Sequence, residues 1–485
     1  MSCPPDRNAR ALGCFAAALL ATVLPGSAPA APWTALHFST GTSFNHTLAV
    51  GDLDADGKPD VANANSQLSA VTVLLGAGGG ALAPFQSYPT FSEPQDVIMG
   101  EFTGDTIPDL ATPDYTGNGV TVLRGLGDGT FAPRVAYPVG PGLISLAAVD
   151  LDGDNRLDLA ISKESGNKIA VLPALAGGGF GTAIEIATGS TPHQIAAADF
   201  NHDGDPDLAV ASHGAAAASV HLGNGTFTPG AATPFPAGAL PVGITLADLN
   251  GDTDLDMVVS NVNAATISVL LGNGDGTFAA AVPYATDPRP RGMDAGDLDG
   301  DGVPEVAVAT GYPDGDSLLT LYRGVGDGTL QILDHIALPY RAADCVIADM
   351  NADGRRDIVV TGPNAGVVTV LLNPGGTLDV PDPASPGALP EPAAGLELAI
   401  HPNPVRTAAA LRFRVPGGSP ATLEIFDPWG ARVASLDPRE PSAGWQVATW
   451  RGERIGGGRA EPGLYFARLR AGAGSVTKRL VLLGR

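Results

Sequence analysis

Seven short segments of this chain place oxygen-bearing side chains at alternate positions. The first reads Asp52-Leu-Asp54-Ala-Asp56-Gly-Lys-Pro-Asp60, with carboxylates at positions 1, 3, 5 and 9. The third carries Asp150, Asp152, Asp154 and Asp158; the fourth Asp199, Asn201, Asp203 and Asp207; the fifth Asp248, Asn250, Asp252 and Asp256. The sixth has Asp297, Asp299, Asp301 and Glu305, and the seventh Asp349, Asn351, Asp353 and Asp357. Alternate carboxylates on a tight loop converge on one point, and a hard cation takes several oxygens at about 2.3–2.6 Å. The chemistry expected of these loops is therefore calcium binding. Glycine at position 6 (Gly57, Gly204, Gly302, Gly354) admits a left-handed backbone, which Asn155 tolerates. The backbone carbonyl at position 7 is expected to add a ligand.

The second loop fits least well: Glu101, Thr103, Asp105 and Asp109 are its donors, with Thr106 where glycine is wanted. The fifth has Thr253 at that position and is expected to bind more weakly. An EF-hand is excluded, because position 12 is Asn63 or Ile161 instead of Glu and strands flank the loops. Solvated Asp-rich turns are the alternative, which near-identical donor spacing in six of the seven copies disfavours. Each loop offers a closed ligand set, so the calcium is expected to be structural.

A second constellation keeps the same step. Six residues before each loop stand His46, Gln95, Ile144, His193, Val242, Arg291 and Ala343. If the repeats close into a ring, these positions surround its channel at the end opposite the acidic loops. Tyr115, His213 and Tyr312 follow second strands and are expected on that same side. Polar and aromatic groups around a depression suit a sugar or peptide ligand. Catalytic motifs are otherwise missing: there is no G-x-S-x-G or H-E-x-x-H, and Cys345 sits on an apolar run as a buried structural thiol. The Gly-Asn-Gly-Asp-Gly-Thr segments lack the P-loop lysine and a following helix, so they are turns. A binding or adhesion module is favoured over an enzyme. A propeller-based polysaccharide lyase or hydrolase, using His46, His193 and Arg291, and a structural envelope component are the alternatives.

The elements that position these residues follow from the period. The loops begin at residues 52, 101, 150, 199, 248, 297 and 349, a step of 49 residues broken once by 52. A second motif, Val269 to Phe278, recurs in phase with the first as Val122–Phe131, Val220–Phe227 and Leu321–Leu330. Each unit reads as four short strands between Gly, Pro, Asn and Asp; in the second these are 96–102, 109–112, 119–124 and 134–138. Four strands per 40–50-residue repeat describes a propeller blade. The seventh unit lacks a fourth strand, and Thr34–Ser39 upstream of the first is placed to supply it. The expected fold is all-β: a seven-bladed β-propeller over 31–373, then a small Ig-like β-sandwich.

The pattern D-x-[DN]-x-D-G-x-x-D with L-L-G-x-G-D-G-T-F resembles the FG-GAP-like (VCBS) repeat family over about residues 33–373. That resemblance implies a seven-bladed propeller with calcium loops on one side and ligands approaching the other. The family is functionally broad, and the fold does not give the function.

Composition sets the context. The chain has 485 residues, 44% hydrophobic and 16% charged, with 64 Gly, 42 Pro and a net charge of −24, which argues against nucleic acid as a partner. Residues 31–395 hold 12 basic and 43 acidic side chains, 24 of those acids at the loop donor positions. Bound calcium would relieve that crowding. Arg7 and Arg10 before the apolar run 12–24 and the Ala28-Pro-Ala30 site describe a secretory signal peptide over 1–30. Cys14 precedes the apolar run, so lipidation is rejected; cleavage would leave Cys345 alone and no disulfide. No later apolar stretch is long enough for a transmembrane segment. The expected location is secreted, extracellular or on the outer cell surface, with a glycan or protein ligand.

After a Pro/Ala-rich linker at 374–395 the charge reverses, with 13 basic and 7 acidic residues from 396 to 485. Strands are expected at 409–415, 421–427, 445–451, 463–470 and 476–482. Pro402-Asn-Pro404, Leu423–Gly430, Trp450-Arg-Gly452, Gly463–Arg468 and Lys478–Leu482 resemble the C-terminal sorting domain of the type IX secretion system and the Ig-like domain of hook-capping proteins. That implies secretion machinery as a partner.

Overall fold

Strands buried on both faces read as mostly apolar runs, and the second strand of the repeats does so: Val61-Ala-Asn-Ala, Leu208-Ala-Val-Ala and Met257-Val-Val-Ser are entirely buried. In the computed structural model of the chain, residues 33–41, 45–311 and 317–375 are described, together with the strands between Glu397 and Leu482. The expected signal peptide, most of the linker and Tyr312 lie outside the described residues. The chain divides into two units, residues 1–380 and 381–485.

In the first unit seven antiparallel sheets of four strands succeed one another. The first sheet comprises Asn45–Gly51, Asp60–Asn65, Ala70–Leu74 and Gln86–Pro89, and the second Ile98–Gly100, Asp109–Asp114, Gly119–Leu123 and Val135–Pro138. The third to sixth repeat this order. The seventh has Cys345–Ala348, Asp357–Gly362 and Val367–Leu372, and takes Thr34–Ser39 as its outer strand, in register from Thr34 opposite Leu372 to Ser39 opposite Val367. The innermost strand of each sheet lies against that of the next, and Cys345–Ala348 returns to Asn45–Gly51. Sheets arranged in this way form a β-propeller.

Adjacent sheets are keyed by aromatic rings. The phenylalanine that ends the Gly-Asp-Gly-Thr-Phe turn, or in the third sheet the Gly177-Gly-Gly-Phe180 turn, reaches back to the preceding sheet: Phe131 packs edge-on to Tyr88 at 4.9 Å, Phe180 to Tyr137 at 5.2 Å and Phe278 to Phe235 at 5.2 Å. Tyr88, Tyr137 and Phe235 are the half-buried residues of otherwise exposed outer strands. The turn recognised in the sequence is thus also an inter-sheet contact. Cys345 is buried with its thiol directed at the Ala307 carbonyl, 3.4 Å away.

The second unit has a three-stranded sheet (Glu397–His401, Ala409–Arg414, Trp445–Trp450) and a four-stranded one (Arg432–Leu436, Ala421–Phe426, Gly463–Ala471, Gly474–Leu482). Both contribute to one apolar core around Phe413, Ile425, Trp450 and Leu469. Glu397–His401 and Arg432–Leu436 were not expected as strands; each is short, and charge or Pro-rich sequence adjoins both.

Removing residues 34–39 would expose the whole edge of Val367–Leu372. The truncated chain is expected to melt several degrees lower and to associate with rising concentration, as read by thermal denaturation and gel filtration. Unchanged melting would show that this strand does not close the array.

Candidate functional site

Each acidic loop is first of all a backbone device. Positions 4 and 6 both take left-handed φ, from Ala55 (58°) and Gly57 (79°) in the first loop to Ala352 (59°) and Gly354 (84°) in the seventh. Thr106 (68°) and Thr253 (74°) adopt that conformation despite their branched side chains, so the second and fifth loops carry local strain where the others have Gly or Asn. The position-1 carboxylate rewards the turn: Asp52, Asp150, Asp199, Asp248, Asp297 and Asp349 each accept the N–H of position 6 at 2.7–3.0 Å. Glu101 departs from this and accepts instead the N–H groups of Thr103, Gly104 and Asp105.

Position 9 is fully buried in every copy. One oxygen of Asp60, Asp109, Asp158, Asp207, Asp256, Glu305 and Asp357 accepts the N–H of position 2, at 2.7–2.9 Å. In the six aspartates the other oxygen accepts an N–H sixteen residues on, at 2.6–2.8 Å, where the third strand ends. Burial raises all seven above the ordinary carboxylate range, Asp256 to about 6 and Glu305 to about 7. Spacing alone assigned these residues only to a cation; they also staple the loop to two strands.

Position 5 makes hydrogen bonds of its own. Its carboxylate accepts the N–H of position 7, as in Asp56 with Lys58 and Asp353 with Arg355, both at 2.9 Å. The second oxygen turns outward to a base or amide: Asp56 to Lys58, Asp154 to Arg156, Asp301 to Arg323, Asp105 to Arg124, and Asp203 and Asp252 to Asn201 and Asn250. An Asx turn holds one oxygen, leaving the other to the nearest donor. Positions 1, 3 and 9 instead gather. The ligand atoms of Asp52, Asp54 and Asp60, of Asp150, Asp152 and Asp158, and of Asp297, Asp299 and Glu305 lie within 4.8 Å of one another. Within these sets, buried oxygens of Asp152 and Glu305 have no hydrogen-bond partner and one of Asp299 has only Arg323 at 3.5 Å, so the donor sets fit a hard cation.

The other candidate lies at the far end of the innermost strands, six residues or about 20 Å away. All seven positions from His46 to Ala343 line a single cavity of about 360 Å³, together with the residues that follow them. Those next residues were not singled out from the sequence, and several bond sheet to sheet. Thr47 Oγ1 accepts Val97 N–H (3.1 Å), Asp96 Oδ2 accepts Leu146 N–H (3.2 Å) and the Ser145 hydroxyl (2.7 Å), and Gln194 Oε1 accepts Ile244 N–H (3.0 Å). Asp344 Oδ2 accepts Leu48 N–H at 3.2 Å, tying the last sheet to the first. Polar residues five before the loops, in phase with the repeat, were the available signal.

Burial, aided by the Arg291 charge, pushes His46 down to about 4 and His193 to about 3. Burial and then the neighbouring Asp96 charge push Asp344 up to about 8. The His193 and His213 rings meet edge-on at 6.1 Å, and Tyr115 donates to Glu164 at 3.3 Å. Gln95 lines the cavity with His193, Tyr115 and His213 are not among its lining residues, and Tyr312 is not among the described residues.

FG-GAP-like repeats match the chain in four overlapping segments, 101–161, 150–210, 199–259 and 254–308. No curated protein matches it. Among solved structures it is similar to BBS1N in complex with ARL6DN (15% identity, TM-score 0.52, covering 70% of this chain and 97% of that one). It is also similar to the Dos1 propeller (12%, TM-score 0.46, 71% and 96%) and to PorZ, a surface component of the type-IX secretion system of Porphyromonas gingivalis (14%, TM-score 0.43, 91% and 60%). At these identities the likeness concerns the fold alone. Among the described residues no helix is long and apolar enough to cross a membrane.

Because folding raises the Asp344 pKa from 3.8 to about 8, the native state holds that proton more tightly than the unfolded chain. Its contribution to stability is full below about pH 4 and is lost as pH rises through about 8. Asp344→Asn mimics the protonated form, so its urea midpoint relative to wild type is expected to be higher at pH 8.5 than at pH 5. An equal offset at both pH values would overturn this assignment.

Proposed function

We propose that the chain is a calcium-stabilised, seven-bladed propeller that is exported from the cell and binds an extracellular glycan or protein through the cavity at the start of its innermost strands. The observation that carries this is the convergence of His46, Gln95, His193 and Arg291, from four different sheets, on one cavity of about 360 Å³, within the range of small-molecule sites. Export rests on the basic and apolar N-terminal segment and on the resemblance of the C-terminal unit to a type IX sorting domain. The full chain, screened on arrays of glycans and matrix proteins in millimolar calcium, is expected to bind one class saturably. That binding should be lost in a His193→Ala, Arg291→Gln double variant that melts like wild type. A folded protein that binds nothing would sink the proposal.

Calcium is proposed at the acidic loops, held first where three carboxylates gather, in the first, third and sixth. Ions bound only to the folded state stabilise it by mass action, about 2.7 kcal/mol per site at a hundredfold excess over Kd. Millimolar calcium is expected to raise the melting temperature by several degrees and EDTA to reverse this. Asp152→Ala should diminish the shift and Asp105→Ala, in the second loop, should barely alter it. Equal melting curves in calcium and EDTA would remove the metal from the proposal.

An enzymatic role is the second possibility, favoured by one observation: His193, His213, Glu164 and Tyr115 form a connected set beside Arg291. Turnover of a polymer that His193→Ala abolishes would establish it over simple binding.

A further inference from the structure

The acidic loops do not all draw their counter-charge from the same place. In the first, third and seventh loops a base at position 7 (Lys58, Arg156, Arg355) pairs with the position-5 carboxylate of Asp56, Asp154 and Asp353. Position 7 of the second and sixth loops is the apolar Ile107 or Val303. In those two repeats an arginine stands instead at the end of the third strand, just before the glycine: Arg124 and Arg323. The first, fourth, fifth and seventh repeats have Leu75, Leu222, Leu271 and Leu372 at that place, each lying close to a turn glycine of the following sheet.

The two arginines differ in what they reach. Arg124 comes within 3.6 Å of Asp105, at position 5 of the second loop. Arg323 donates from Nη2 to Asp301 Oδ2 at position 5 (3.1 Å) and also comes within 3.5 Å of Asp299 Oδ2 at position 3. Asp299 is one of the three residues, with Asp297 and Glu305, whose ligand atoms gather. Its side chain is 1% exposed, and that oxygen has no hydrogen-bond partner. Strand pairing fixes the arginine: Arg323 lies opposite Gln331, beyond a bulge at Leu321/Tyr322, and a bulge re-aims the side chains that follow it. Glu305 makes the demand for positive charge stronger. The other position-9 residues use both oxygens on backbone N–H groups, whereas the buried Glu305 uses one on Leu298 and its Oε1 has no partner. A buried carboxylate oxygen without a donor is costly unless a cation stands near it.

We infer that Arg323 is a resident counter-ion of the sixth acidic loop, which calcium must displace from Asp299 in order to bind there; this rests on the reading of these loops as calcium sites. Two cations cannot share one carboxylate oxygen at contact without repulsion, and the fraction of loops closed by the arginine lowers the apparent calcium affinity. Of the three loops in which carboxylates gather, the sixth therefore fills at a higher calcium concentration than the first and third. The test is calcium titration of the full chain against a chromophoric chelator, with melting curves in EDTA and in millimolar calcium. Arg323→Leu, which installs the residue found there in four other repeats, is expected to tighten one site tenfold or more. Arg323→Gln, which keeps the length and removes the charge, should act likewise. Adding Asp299→Asn to either variant should remove the gain and so assign it to the sixth loop. In EDTA both single variants should melt below wild type, because the loop loses its counter-charge, and in calcium that deficit should vanish or reverse. Identical isotherms for wild type and the folded variants, or a melting deficit that calcium does not relieve, overturn the inference and leave calcium at the other loops in place. If neither wild type nor variant binds calcium, the calcium reading falls and the inference with it.

Discussion

Seven buried carboxylates hold this first unit together. Each position-9 side chain ties the start of its acidic loop to the second strand that it begins, and in six repeats it also ties in the end of the third strand. The backbone groups it satisfies lie where loops leave the sheets, where no strand neighbour offers an acceptor. An unpaired N–H at such a place costs about 1–3 kcal/mol, so one aspartate removes two such penalties in each of six repeats and Glu305 removes one in the sixth. Close approach comes with it. At Gly76, Gly125, Gly223, Gly272 and Gly324 a Cβ would collide with the carbonyl of the residue just before position 9. In these five repeats the glycine after the third strand is thus matched to the position-9 carboxylate sixteen residues earlier, or nineteen earlier for Glu305.

The same carboxylates place the other acidic side chains. With position 9 fixed below them, positions 1 and 3 are brought over it by two left-handed residues, and the oxygens that gather are those the turn has not already used. Position 5 lies outside that group because its carboxylate closes its own Asx turn. Electrostatic crowding and backbone satisfaction are therefore two aspects of one loop, and a cation would act on a geometry that hydrogen bonds already define.

Between sheets the constraints are of two kinds. Near the acidic loops, Phe131, Phe180 and Phe278 insert toward the preceding sheet. At the cavity end, side chains five before the loops reach the backbone of the following sheet, and Asp344 makes the same reach from the seventh to the first. The cavity is walled by those bridging residues together with their neighbours, and it is the neighbours that are free to vary while the bridges keep the strands in place. That separation explains why the ring positions differ from repeat to repeat, from His46 to Val242 to Arg291, although the loops scarcely change.

The sequence by itself determined the all-β class, the repeat and its phase, the strands of each repeat within a few residues, and the acidic donor positions. These are local or periodic properties, and every copy of the repeat states them again. It also placed seven dispersed residues, His46 to Ala343, at one level of the innermost strands, because a fixed period carries equivalent residues to equivalent places. What only the tertiary structure decided involves partners far apart in the chain. Spacing could not show that Asp60 binds the N–H groups of Leu53 and Gly76, or that Asp344 reaches Leu48 across 296 residues. Nor could it show that burial, with Arg291 nearby, lowers the pKa of two histidines. Protonation and hydrogen bonding depend on what surrounds a group after packing, and no local pattern of residue types encodes that environment.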